Sequence, residues 1–115
     1  MKYVAVDFDG TLCEHRFPKI GLVYPEHFRV HELIRLHARR GCRIILWTCR
    51  EDIPEGDFLT QAVNWCKEHN IPIDYVNENP ECNFGYPEKV RKIVADIYID
   101  DKAHNPFGYD KELQL

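Results

Sequence analysis

The sequence has no surplus of positive charge. Its 15 Lys and Arg stand against 19 Asp and Glu, giving a net charge of −4 and a pI near 5.8. Duplex DNA is therefore not an expected partner, because neutralising its phosphates takes an excess of Lys and Arg. Long apolar runs are missing too. Ile44-Ile45-Leu46-Trp47 is four residues long, against the ~20 that a membrane-spanning helix needs. Residues Met1 to Val6 run directly into Asp7 and Asp9, so the expectation is no signal-peptide core and no membrane. The five cysteines, Cys13, Cys42, Cys49, Cys66 and Cys82, are odd in number and no two have CxxC spacing. That argues against a disulfide framework or a zinc site and leads us to expect reduced thiols in a cytoplasmic protein. With only 6 Gly and 7 Pro, the chain is neither collagen-like nor low-complexity.

What the chain does have is enough apolar residue for one core. At 115 residues and 44% hydrophobic, it reads as a single domain over residues 1–115 that buries ~60% to ~70% of its unfolded surface. Tyr3 to Val6 predicts a buried strand ending in a turn at Gly10. Residues 11–26, with Pro18, Gly21 and Pro25, predict a loop or small hairpin. Val30, Leu33, Ile34 and His37 recur at helical spacing over about 27–40, and Gly41 supplies the stop. Arg43 to Thr48 predicts a second strand and 52–56 a loop. A helix capped by Asp57 runs to about His69, with Phe58, Ala62, Trp65 and Cys66 on one face. Residues 71–76 predict a weaker strand, 89–95 a short helical turn, and Ile97 to Ile99 a final strand. Alternation of strand and helix implies crossover connections, hence an α/β fold: a Rossmann-like, mainly parallel sheet flanked by helices.

In such a sheet all strand C-termini share one edge, and ligands bind in the crevice outside it. Asp7 and Asp9 follow the first strand, Thr48 closes the second, and Asp100 and Asp101 follow the last. Four carboxylates and a hydroxyl should therefore meet. At ~4 Å and an effective dielectric of ~20, each carboxylate pair costs about 4 kcal/mol. A divalent cation relieves that repulsion, and an all-oxygen site suits Mg²⁺.

The stretch Asp7-Phe8-Asp9-Gly10-Thr11-Leu12 resembles motif I, DxDGT, of the haloacid dehalogenase-like phosphohydrolases. Thr48 after Ile44-Ile45-Leu46-Trp47 resembles their motif II, and Asp100-Asp101 after Ile97-Tyr98-Ile99 their motif IV. The 95–101 stretch is similar to that of small deoxyribonucleotidase-type members. The resemblance implies a phosphatase core in which Asp7 is the nucleophile that forms an aspartyl phosphate. Asp9 would protonate the leaving oxygen, activate water, and bind the metal through its backbone carbonyl. Gly10 would shape the turn beside the substrate, and Thr48 would donate to a phosphate oxygen. Asp7, Asp9, Asp100 and Asp101 make up the implied Mg²⁺ set. The motif III lysine falls to Lys92, with Lys89 as the other candidate and Arg50 or Lys102 as stand-ins.

The interval from Asp9 to Thr48 is largely taken by the first helix, and that from Thr48 to Lys92 holds a helix and a strand. Neither has room for the cap domain that the family usually carries, so a capless member is implied. Exclusion of water from a small-molecule phosphomonoester then falls to the substrate's bulk, a partner subunit in a homo-oligomer, or the loops 13–26 and 78–88. Phe17, Tyr24, Phe84 and Tyr86 in those loops are candidates to stack on a base or sugar. Arg50 is read as a substrate contact, or else as an ion pair with Glu51 or Asp52. Cys49, His37, His69 and Trp65 read as packing residues, a pocket-rim role is the lesser of the readings of His104, and Arg35, Arg39, Arg40 and Arg43 read as a solvated cluster far from the acids, with a nucleic-acid patch as the lesser reading. The alternatives in function are a phospho-accepting signalling module and a catalytically idle nucleotide- or metal-binding module on the same fold.

Overall fold

A computed structural model of the chain describes residues 2–80 and 93–102. Its elements are β1 (Tyr3–Val6), α1 (Pro25–Arg39), β2 (Arg43–Leu46), β3 (Asp52–Ile53), β4 (Gly56–Asp57), α2 (Phe58–Glu68), β5 (Tyr75–Val76) and β6 (Ile97–Ile99). The main sheet has the order β5-β2-β1-β6, with every pair parallel. Strand β1 lies in the middle. Its Val6 is in register with Leu46 on one side and Ile99 on the other, so the residues that follow all three strands emerge side by side.

Alternation along the strands divides the core. Val4, Val6, Ile44 and Leu46 point to the face that α1 and α2 cover with Val30, Ile34, Ala62 and Cys66, all buried. Ala5 and Ile45 point to the other face, where they pack with Ile93, Tyr3, Tyr75 and Ala95. Burial on both faces explains why these strands are apolar at consecutive positions.

Helix α1 starts earlier than its apolar spacing predicts. Pro25 occupies the first turn, where its missing N–H leaves no bond unmade. The Nδ1 of His27 accepts the Tyr24 N–H at 3.0 Å. At the other end Gly41 has φ +90°, its N–H donates to Ala38, and Cys42 N–H donates to His37. This paired closure needs the left-handed conformation that glycine adopts freely. Nε2 of the buried His31 donates to the Leu12 carbonyl at 2.7 Å, tying the helix to the turn after β1. Burial holds its pKa below the usual value.

Other boundaries differ from the sequence expectation. The predicted loop 52–56 is a small antiparallel hairpin, β3 with β4. Asp57 makes no side-chain cap on α2. Asp52 does so across the hairpin, accepting the Thr60 N–H at 2.9 Å and its hydroxyl at 2.6 Å. The predicted strand 71–76 keeps only Tyr75–Val76, because Asp74 turns its carboxylate back to the Ile44 N–H at 2.8 Å. The arginine cluster is also partly engaged. Arg35 donates to the carbonyls of His69 and Asn70 that end α2, and Arg43 lies 3.6 Å from Asp74. Such a cation at a helix C-terminus contributes about 0.3–1 kcal/mol. The expected turn at 89–95 falls mostly outside the described residues.

Replacing Asp52 with Ala should lower stability measurably, because its carboxylate serves as the N-terminal cap of α2. Asp57→Ala should cost far less. Urea melts of the two variants check this, and equal losses would return the cap to Asp57.

Candidate active site

The C-terminal edge of the sheet gathers the acids. Asp7 directly follows β1, and its N–H donates to Ile99 at 3.0 Å. Asp100 and Asp101 follow β6. Oxygens of Asp7, Asp100 and Asp101 all lie within 4.8 Å of one another. Two oxygens bound to one octahedral Mg²⁺ are ~3 to ~4 Å apart. The three carboxylates thus fit a hard divalent cation after a small side-chain adjustment, or with one of them bound through water.

Burial, and then crowding, leave their mark on protonation. The Asp7 carboxyl is raised from 3.8 to about 6, first by burial, against a lowering backbone hydrogen bond at Phe8, and further by the charges of Asp100, Asp101 and Asp9. Asp101 is raised as well, chiefly by burial and then by its hydrogen bond and repulsion with Asp100.

The turn after β1 holds these groups in place. Gly10 has φ +90°, and its N–H donates to Cys13 at 2.8 Å. A Cβ there would sit 2.5 Å from Oδ2 of Asp101. Gly10 therefore makes room for Asp101, and its N–H is already used within the turn, so the expected substrate contact is not what its geometry offers. Thr11 was not singled out by its chemistry. Its buried hydroxyl accepts the Asp101 N–H at 3.0 Å, latching the turn to the end of β6. Only the final letter of the DxDGT pattern hinted at this.

Thr48 lies two residues beyond β2, which ends at Leu46 and not at Thr48 as its apolar run predicts. Its N–H is held by Asn77 at 2.8 Å, and its Oγ1 accepts the Arg50 N–H at 3.1 Å. The hydroxyl hydrogen is then available to a ligand, since a hydroxyl has one donor besides its acceptor sites.

Asp9 stands apart from the other acids. Its carboxylate is outside the three-carboxylate cluster and forms a two-point ion pair with Arg50: Nε to Oδ2 and Nη2 to Oδ1, both 2.8 Å. The Arg50 side chain is 1% exposed. Its remaining N–H groups donate to the carbonyls of Pro18, Lys19 and Phe58, and its guanidinium sits about 5 Å from the rings of Phe8 and Phe17. Arg50 was expected to touch substrate or to pair with Glu51 or Asp52. Instead all five of its donors are taken inside the protein, by Asp9 and three backbone carbonyls. Nothing in the spacing of Asp9 and Arg50 along the chain signals this pairing.

Asp7, Asp9, His15, Phe17, Thr48, Cys49, Arg50 and Lys102 line an open cleft of about 380 Å³. His15 lies in a loop with no motif, so nothing in the sequence marks it for the cleft. Cys49, read as packing, is exposed on the cleft wall. Lys102 brings a cation to the cleft. Lys92, Lys89, Phe84, Tyr86 and His104 lie outside the described residues.

Fold and cleft together define an open parallel α/β protein with its polar groups at the strand C-termini. Neither a protein-family model nor a curated protein matches the sequence. Among solved structures, a conserved protein from Bacteroides thetaiotaomicron is similar at a TM-score of 0.71 and 37% identity, over 89% of this chain and 77% of that one. The chain belongs to the same family as that conserved Bacteroides protein.

Two outcomes follow from the site. Gly10→Ala should destabilise the protein by at least about 1 kcal/mol, because Ala is strained at positive φ and its methyl displaces Asp101; a denaturant melt reads this. Asp7 binds its proton more tightly folded than unfolded, so its contribution to stability is full below about pH 4 and is lost as pH rises through about 6. Without divalent ions, Asp7→Asn should therefore melt above the wild type at pH 7.5, and the gap should close below pH 4. A gap that persists at low pH would contradict this account of the Asp7 carboxyl.

Proposed function

We propose that the protein is a Mg²⁺-dependent phosphomonoester hydrolase of the haloacid dehalogenase-like type, with no cap domain, acting through an aspartyl phosphate. The observation that carries this reading is the cluster of Asp7, Asp100 and Asp101 at the strand ends, with the Thr48 hydroxyl on the wall of the cleft that Asp7 lines. Asp7, Asp100 and Asp101 would hold the ion, helped by the Asp9 backbone carbonyl. When bound, the cation screens the nucleophile and the phosphoryl oxygens, whose mutual repulsion otherwise keeps them apart.

In this reading an Asp7 oxygen attacks phosphorus, and the P–O bond to the leaving group breaks as the new one forms. Thr48 donates its hydroxyl hydrogen to a phosphoryl oxygen. Asp9 exchanges the proton, giving it to the leaving oxygen and then taking one from the water that attacks the aspartyl phosphate. Inorganic phosphate leaves, and Asp7 is a carboxylate again. Each Asp9 oxygen has lone-pair room beyond its Arg50 contact for this exchange. Lys102 supplies positive charge from the cleft wall, and the motif III role stays with Lys92. The interval from Asp9 to Thr48 contains one helix, the strand β2 and loops, and 49–80 contains a hairpin, a helix and a two-residue strand. Both agree with a capless enzyme. The open cleft suits a small phosphomonoester such as a nucleotide, with Phe17 on its wall.

The test is a panel of phosphomonoesters, including 5′- and 3′-nucleotides and sugar phosphates, with and without Mg²⁺. Hydrolysis should require the ion and stop on addition of EDTA. Asp7→Asn should reduce turnover by at least about 10³-fold, more than the 10²–10⁴-fold range of a single proton-transfer group at its lower end. Near-normal turnover in that variant would overturn the proposal, and metal binding without any hydrolysis would favour an idle binding module.

A further inference from the structure

Four carboxylates follow strands at one sheet edge, yet only three of them cluster. The fourth, Asp9, lies close enough for its charge to bear on Asp7. Asp9 lines the same cleft as Asp7, and a free carboxylate there could swing into the coordination sphere of a divalent cation unless something else holds it. What holds it here is Arg50. The fork of Nε and Nη2 meets both Asp9 oxygens at 2.8 Å. The carbonyls of Pro18, Lys19 and Phe58 fix the fork from behind, and the Phe8 and Phe17 rings flank it. The guanidinium cannot follow Asp9 toward the cluster without breaking three backbone contacts in a buried site.

We infer that Arg50 is a positioning residue that withholds the Asp9 carboxylate from the metal and keeps it facing the leaving-group side of the cleft. The inference rests on the phosphatase reading for what Asp9 does there. The division of the acids, three for the cation and one for Arg50, does not. Lysine in place of Arg50 keeps the charge but loses the planar fork. Asp9 is then free to swing to the cation, and one more anionic ligand tightens binding.

Titration of the full chain with Mn²⁺ and Mg²⁺ by calorimetry decides the matter, alongside turnover of p-nitrophenyl phosphate. Arg50→Lys should bind the cation several-fold more tightly than wild type and turn over at least about tenfold more slowly, the usual effect of losing a group that orients a site residue. Adding Asp9→Asn to Arg50→Lys should return the affinity to the wild-type value. Asp9→Asn alone should leave affinity close to wild type, whereas Asp7→Asn should weaken it. Unchanged or weaker binding in Arg50→Lys would reduce Arg50 to a structural role and overturn the inference. Weakening in Asp9→Asn to the level of Asp7→Asn would do the same, and this variant decides the question if Arg50→Lys does not fold. If the wild type binds the ion and hydrolyses no ester, the phosphatase reading falls while the titrations still judge Arg50. If it binds no ion, both fall.

Discussion

Everything at the functional edge of this protein depends on carboxylates being held closer together than water would leave them. Asp7, Asp100 and Asp101 have oxygens within 4.8 Å of one another, and Asp7, raised first by burial and then by its acidic neighbours, holds its proton up to about 6. The backbone imposes the crowding. Strand β1 is in parallel register with β2 and β6, so residues that are far apart in sequence leave the sheet at one level. The Thr11 hydroxyl and the Asp101 N–H then fasten the two acidic segments together. Such repulsion is what a bound cation would relieve, and this links the fold to the proposed chemistry.

Arg50 is the counterweight. A buried guanidinium is costly to desolvate unless every donor is matched, and here each of the five N–H groups has an acceptor. Those acceptors come from three places: the turn after β1, the loop at 18–19 and the first residue of α2. One side chain thus joins the acid of the site to the cleft wall and to the helix layer. Its opposite charge also holds one of the four acids, Asp9, apart from the cluster that the other three form.

The sheet, both helices and the polar edge were legible because they rest on local signals. Consecutive apolar residues marked β1 and β2, helical spacing marked α1 and α2, and acids directly after strands marked the edge. What was not legible depends on partners distant in sequence. The Asp52 cap works through a hairpin that residues 52–57 form without apolar alternation. The shortening of 71–76 to two residues follows from Asp74 bonding back to β2. Arg50 looked like a substrate ligand because it follows Thr48 by two residues, and its pairing with Asp9 exists only after folding. His15 belongs to the cleft through the path of its loop, which no pattern in residues 11–24 encodes.

The latch between Thr11 and Asp101 spans 90 positions of the chain. During synthesis the turn after β1 emerges from the ribosome early, while its partner emerges only after both helices and three strands of the sheet have been made. The acidic cluster is thus among the last features to assemble, since distant contacts pay their loop entropy before they return any stabilisation. A nascent chain carries Asp7 well apart from Asp100 and Asp101, so the three carboxylates do not meet until the sheet closes.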